Sequence, residues 1–377
     1  MLIFYDWFYP GFKAGGPIQS LTNLAVALTP DFDIYVITGA CDLNSETPYD
    51  NINVNSWNTV QLNENAVPIT VFYASKKTLN KQKVGSLIRE VSPSVVYLNG
   101  IFSYRYFMLP LLALKAFKSD IKVVVCPRGM LKKGALSGKA FKKKIYISYL
   151  RFSRLPNRVH WHATSAAELV DITSHFPINQ GVSVADNIPK KPVAQFLPIF
   201  KVAGELRLVY LSLINEHKKL LLLLQAINEI DDKISLDIYG PVVDFAYWQK
   251  CEELIKQMTG KVQYKGVVEP AKVQRLIENY HAFILFTKGE NFGHALFESL
   301  SVGRPVITSH FTPWQSLYEK HAGANVDLNS TDDCIDKMTV FLKMTQEEYN
   351  IFCSGAHVLA KNYYNNLETG QRYKQLF

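Results

Sequence analysis

Cysteine is scarce and scattered in this 377-residue chain. Cys41, Cys126, Cys251, Cys334 and Cys353 are odd in number, and no two form a Cys-x-x-Cys pair or a zinc spacing. A disulfide framework and a structural zinc site are thereby excluded, and a reduced, cytoplasmic compartment is expected. No apolar run reaches the ~18 residues a membrane-spanning helix needs; the longest break at Lys115 and at Gln225. The opening Met1-Leu2-Ile3-Phe4-Tyr5-Asp6 has no basic segment ahead of an apolar one, so a signal peptide is not expected. The histidines form no His-x-x-x-His or His-Glu-x-x-His, and no serine sits in a nucleophile elbow. Asp31-Phe32-Asp33 precedes a strand, where a metal site would follow one, and reads as a turn. No metal is expected.

What is present is an ordinary core-forming composition, 48% hydrophobic and 20% charged, with a net charge of +8. That charge is unevenly placed. Residues 1–186 hold 20 Lys+Arg against 12 Asp+Glu, whereas residues 187–377 hold 21 of each. Arg128–Arg158 carries ten basic residues and no acidic one. Aromatic and aliphatic residues interleave with them: Phe141, Ile145, Tyr146, Ile147, Tyr149, Leu150 and Phe152. A basic amphipathic helix of this kind lies on anionic membrane surfaces. Lys139, Lys142, Lys143, Lys144, Arg151 and Arg154 are the candidate contact residues. The competing readings are a nucleic-acid face and a plain solvated helix.

Short apolar runs alternate with helical patterns along the whole chain. Leu2–Phe4, Ile34–Thr38, Val95–Leu98, Val123–Cys126 and His160–Thr164 read as strands, with amphipathic helices such as Pro17–Leu28 and Leu79–Val91 between them. Ser165-x-x-Glu168 reads as a capping box. The pattern restarts after Asn187–Pro192 with strands at Leu206–Leu213, Ser235–Tyr239, Val262–Tyr264, Ala282–Phe286 and Pro305–Thr308. The expected fold is α/β, two facing Rossmann-like doubly wound domains with an interdomain cleft. The expected boundaries are 1–187, a linker over 188–204, 205–360, and a C-terminal helix over 361–377 packing back on the first domain.

The sharpest motif runs from Gly289 to Glu298. A strand enters a polar loop holding Glu290, and a helix begins near His294. Gly293 permits close backbone approach, and free N–H groups at a helix start favour an anion. On residue types alone, a capped core helix with two surface glutamates is an equal reading. Gly15-Gly16-Pro17, after the first strand, is a weaker signal of the same kind, and a tight turn explains it as well. Ser212–Lys219, after the strongest strand of the second half, puts Lys218 where it can neutralise a leaving pyrophosphate; a solvated lysine pair is the plainer reading.

Taken together these residues resemble glycosyltransferase family 4, the retaining, metal-independent enzymes of GT-B fold. Glu290–Glu298 matches the family's Glu-x7-Glu motif and is followed by Gly303-Arg304-Pro305-Val306. Gly15-Gly16 matches its glycine loop, Lys218 the lysine of its Ser-Arg-x-x-x-x-Lys segment, and Pro127-Arg128-Gly129-Met130 its His-Gly-Met-Leu segment. Asp237–Pro241, Gly289–His294 and Thr312-Pro313-Trp314 resemble a subgroup of bacterial cell-surface polysaccharide transferases.

The resemblance implies that Glu298 holds the nucleotide ribose, Glu290 the donor sugar, and Lys218 the diphosphate. Backbone around Asn291, Phe292, Gly293 and His294, with Gly15 and Gly16, completes the donor site. Two positions depart from the pattern. The arginine before the lysine falls on Leu213, and the N-domain histidine falls on Arg128. An arginine is no base at neutral pH, but it can supply charge or bond a sugar hydroxyl.

The implied activity is hexosyl transfer from a nucleotide diphospho-sugar to a polyprenyl-diphosphate-linked or growing glycan in O-antigen, capsule or exopolysaccharide synthesis. It would take place in the cytoplasm, peripherally on the inner membrane face, with no cofactor, metal or nucleic acid. A sugar-nucleotide epimerase and a glycosyl phosphorylase are the enzyme rivals, and a basic nucleic-acid-binding protein the non-enzyme one.

Overall fold

The computed structural model describes residues 1–64, 66–117, 121–137, 140–230, 233–258, 260–366 and 369–377. The chain divides into two compact units, Met1–Ile188 with Glu368–Phe377, and Pro189–Leu367. Each is a Rossmann-like sheet flanked by helices, the pair that defines a GT-B fold.

In the first unit the strands are β1 (Leu2–Phe4), β2 (Tyr35–Gly39), β3 (Trp57–Val60), β4 (Ile69–Ala74), β5 (Val95–Asn99), β6 (Lys122–Cys126), β7 (His160–Ala163) and β8 (Val182–Val184). Their spatial order is β3-β4-β2-β1-β5-β6-β7-β8. All neighbours are parallel except β3 and β4. Leu2 and Phe4 enter one core cluster, and Ile3 and Tyr5 the other. That period-two alternation shows why the strand is apolar throughout: both faces of a parallel sheet are covered.

The second unit contains β9 (Glu205–Leu211), β10 (Lys233–Tyr239), β11 (Val262–Tyr264), β12 (Ala282–Leu285), β13 (Val306–Ser309) and β14 (Gly323–Val326). Their order is β11-β10-β9-β12-β13-β14, parallel throughout. Residues 189–204 fold with this unit. Phe196 packs beside the hydrophobic core, and the buried Lys201 ammonium donates to the carbonyls of Val202 and Leu342 at 2.8 and 3.0 Å. The helix Gln346–Asn365 also belongs here, whereas the helix Thr369–Leu376 belongs to the first unit.

The Ser165–Glu168 box forms only by half. Ser165 Oγ accepts from the Glu168 N–H at 3.2 Å. The Glu168 carboxylate, however, turns to the N–H and hydroxyl of Thr164, at 2.7 and 2.6 Å, and to the Gly129 N–H. It is fully buried, so it needs those donors, and they fasten the end of β7 to the loop that follows β6. A complete box forms instead at Thr345 and Glu348.

Candidate active site

The residues that carry the strongest motif meet beyond the carboxyl ends of β9, β12 and β13, where ligands of open parallel sheets are bound. The chain leaves β9 into a single 3₁₀ turn, Glu216–Lys218. That turn is stitched to the loop after β12: the Lys288 N–H donates to the His217 carbonyl at 2.9 Å, and His217 Nε2 donates to the Gly289 carbonyl at 3.2 Å. Burial, and then the neighbouring Lys218 charge, lower the His217 pKa, while the bond to the Gly289 carbonyl pulls it the other way. The loop after β12 is held in turn to that after β13. Ser309 Oγ donates to the Thr287 carbonyl at 2.5 Å, and the Glu290 N–H to the Phe311 carbonyl at 3.0 Å.

On this platform Lys218 and Glu290 form a hydrogen-bonded ion pair, each side chain 15% exposed. Glu290 lies in the loop and Glu298 on the helix His294–Ser301. Gly293 caps that helix at φ 81°, a left-handed conformation natural to glycine. Glu298 is buried, and its Oε2 has no hydrogen-bond partner. Burial raises its pKa to about 7, against a smaller downward pull from Lys190. A buried carboxylate with an open acceptor is an unsatisfied group that a hydroxyl-bearing ligand would complete.

Phe292 does not face outward. Its ring lies within 4.8–5.7 Å of the rings of His294, Phe297, Trp314 and Tyr363. Trp314 Nε1 donates to the Phe292 carbonyl at 2.8 Å. This aromatic bed fixes the backbone between the two glutamates; Trp314 belongs to the Thr312-Pro313-Trp314 motif, whereas Tyr363 is a support that a local motif search does not find. Trp314→Phe leaves that carbonyl unpaired, at a cost of about 1–3 kcal/mol. The expected result is a lower melting temperature; an unchanged one would deny the bond any weight.

The remaining candidates lie in the first unit. Gly15 is the N-cap of the helix Gly16–Leu28, at φ 80°. The loop leading to it is held by Asp42, whose carboxylate accepts from the N–H groups of Phe12 and Lys13 at 3.0 and 3.2 Å. No spacing in the sequence points to Asp42.

Arg128 is buried and has a left-handed backbone at φ 56°. Its Nε donates to Asn99 Oδ1 at 2.9 Å, one terminal nitrogen to Asn187 Oδ1 at 2.6 Å, and the other to the Tyr97 hydroxyl at 3.0 Å. Tyr97 also bonds the buried His162, whose pKa burial lowers to about 3.

The basic stretch forms the helix Ala140–Phe152. Lys142, Lys144, Arg151 and Arg154 are exposed. Lys143 instead folds back, donating to the Ala135 carbonyl at 2.5 Å with its ammonium over the Phe102 ring. Lys139 lies outside the described residues. Phe141, Ile145, Tyr149 and Phe152 are 77%, 54%, 55% and 85% exposed, on the single stripe their spacing of four, four and three dictates. Among the described residues, no three His, Cys, Asp or Glu side chains converge as a metal site, and no helix is long and apolar enough to cross a membrane.

Residues 205–343 match a family model described as glycosyl transferases group 1. No curated protein matches the sequence. Among solved structures, Anabaena HepE in complex with UDP and glucose is 14% identical, with a TM-score of 0.72 over 100% of this chain and 97% of that one. Sucrose-phosphate synthase from Thermosynechococcus elongatus is 16% identical at a TM-score of 0.72, over 100% and 98%. WaaG, a glycosyltransferase involved in lipopolysaccharide biosynthesis, is 11% identical at 0.65, over 100% and 98%. The whole chain therefore has the fold of these GT-B proteins, and its second unit carries the sequence pattern of group 1 glycosyl transferases.

Proposed function

We propose that this protein is a retaining, metal-independent glycosyltransferase. It moves a hexose from a nucleotide diphospho-sugar to a lipid-linked or growing glycan in the synthesis of a bacterial surface polysaccharide. The observation that carries this reading is the junction at Gly293. There a Lys–Glu pair and a buried carboxylate with an open oxygen flank one helix start. Glu298 accepts from the ribose hydroxyls, Glu290 from the donor sugar, and Lys218 stands at the diphosphate. Backbone from Asn291 to His294 lines the donor. The group 1 match and the UDP and glucose bound in HepE support this donor class. WaaG supports the polysaccharide setting. Arg128, if it acts, acts as a positive charge and not as a proton carrier.

In the step proposed, the acceptor hydroxyl attacks the anomeric carbon from the face the diphosphate leaves. The bond from that carbon to the phosphate oxygen breaks with its electron pair going to the diphosphate, and the acceptor proton passes to the departing phosphate. Fixed cations near the leaving oxygen lower this barrier because the charge develops there. The test is a thermal-shift screen of UDP-, GDP-, ADP- and dTDP-sugars, then transfer to a glycan acceptor. One nucleotide should stabilise the protein, the product should keep the donor's anomeric configuration, and EDTA should leave the rate unchanged. An inverted product, or a strict magnesium requirement, overturns the mechanism.

The acceptor is proposed to be met at an anionic membrane surface through the exposed stripe of Phe141, Ile145, Tyr149 and Phe152 and its flanking cations. Each basic residue near such a surface contributes about 1 kcal/mol. Reversing Lys142, Lys144 and Arg151 to Glu should release the protein from anionic liposomes. Unchanged co-sedimentation would end that part of the proposal.

A further inference from the structure

Three ammonium groups gather beyond the ends of β9 and β12. Lys218 is occupied by Glu290. The other two, Lys219 and Lys288, reach one and the same oxygen of Glu216, at 3.9 and 3.3 Å. A single carboxylate oxygen thus stands against two cations. The Glu216 side chain is 67% exposed and that of Lys219 only 28%, so the acid is the solvated, easily displaced member. Burial and the adjacent Lys288 ammonium hold the Lys219 pKa below its ordinary value. An anion placed between the two ammonium groups relieves that repulsion.

The backbone points the same way. Lys219 has φ 47° and ψ 32°, a left-handed conformation in which glycine is at ease and a long side chain is strained. Its partner Lys288 is fixed by the same loop-to-loop bond, Lys288 N–H to His217 carbonyl, that sets Lys218 against Glu290. The three lysines therefore project from one stitched platform, with three positive charges against the two carboxylates Glu216 and Glu290.

We infer that Lys219 and Lys288 form a second seat for the diphosphate of the nucleotide sugar, beside Lys218, with Glu216 as the counter-ion that the diphosphate displaces. This rests on the glycosyltransferase reading above. Lysines bind phosphate as point charges without a fixed fork, which suits a group that moves from bound sugar to free leaving group.

Calorimetric titration of the whole chain with UDP, GDP, ADP and dTDP, and with the monophosphate of whichever binds, tests the seat. Lys219→Gly keeps the backbone that the site already adopts, and Lys288→Met changes a side chain 47% exposed, so the double variant is designed to fold. Its diphosphate affinity should fall about tenfold or more, its monophosphate affinity should fall less, and its binding should depend less on salt. Lys288→Met alone carries the same comparison if the double variant does not fold. Diphosphate affinity within about twofold of the unmodified chain overturns the seat and leaves the glycosyltransferase reading standing. If the unmodified chain binds none of the four diphosphates, that reading falls and the seat falls with it.

Discussion

Glu298→Gln is expected to weaken nucleotide binding about tenfold or more, ~1.4 kcal/mol, and to raise the melting temperature of the ligand-free protein at mildly alkaline pH. Both effects come from one buried carboxyl group. Its folded-state pKa of about 7 stands above the ordinary 4.5 because burial penalises the charged form. A carboxyl group whose pKa rises on folding favours the native state at low pH, and that contribution is lost as pH rises from 4.5 through 7. Above pH 7 the native protein holds a desolvated charge that the neutral, nearly isosteric glutamine does not carry. Binding runs in the opposite sense. In the proposed site only the ionised carboxylate would accept from both ribose hydroxyls, so affinity should climb as pH rises through 7, and should be flat in Glu298→Gln. Titration with the nucleotide on either side of neutrality, together with melting curves, reads both. Equal affinity in the variant at every pH would remove Glu298 from the site.

Lys218→Ala is expected to slow transfer by ~10²–10³-fold, the loss found when one preorganised stabiliser of transition-state charge is removed, about 2.7–4 kcal/mol. The diphosphate gains charge as its bond to the sugar breaks, so kcat should fall more than KM rises. Lys218→Arg, which keeps the charge, should recover part of the rate. The variant also leaves Glu290 partly buried without its cation, so melting curves are needed to separate catalysis from folding. A kcat within about threefold of the unmodified enzyme would show that Lys218 does not act on the leaving group.

The central strands were legible because both faces of their sheets are buried. Leu2–Phe4, paired on both sides, falls where the apolar run places it, and Val262–Tyr264 is legible although it is an edge strand. Four strands lie outside the apolar runs singled out above. Three of them, Trp57–Val60, Val182–Val184 and Gly323–Val326, lie at sheet edges, where one side is unpaired and the apolar signal is diluted. Ile69–Ala74 has no such excuse; its apolar content matches that of a core strand.

At the site, the local motif Glu290–Glu298 could be seen because its residues are adjacent in the chain. What positions it comes from far away: Trp314 and Tyr363 beneath Phe292, and His217 at the Gly289 carbonyl. The charges of Lys219 and Lys288 likewise look like solvated surface lysines until two loops 69 residues apart bring them to one Glu216 oxygen. For Arg128 the sequence offers a cation near a ligand, whereas its surroundings of Asn99, Asn187 and Tyr97 are visible only in the fold.

The helix Thr369–Leu376 has a consequence for the order in which the molecule is made. Tyr373 and Leu376 are buried in the first unit, the Tyr373 hydroxyl donates to the Asp186 carbonyl at 2.9 Å, and Phe377 lies against Tyr97 at 5.1 Å between ring centroids. Domains generally fold as units while the chain emerges, the N-terminal one first. Here the unit translated first stays unfinished until residues 369–377 have been synthesised, after the whole of the second. During that interval Tyr97 and its neighbours lack their cover, so a ribosome stalled late in translation would hold a complete second unit attached to an open first one.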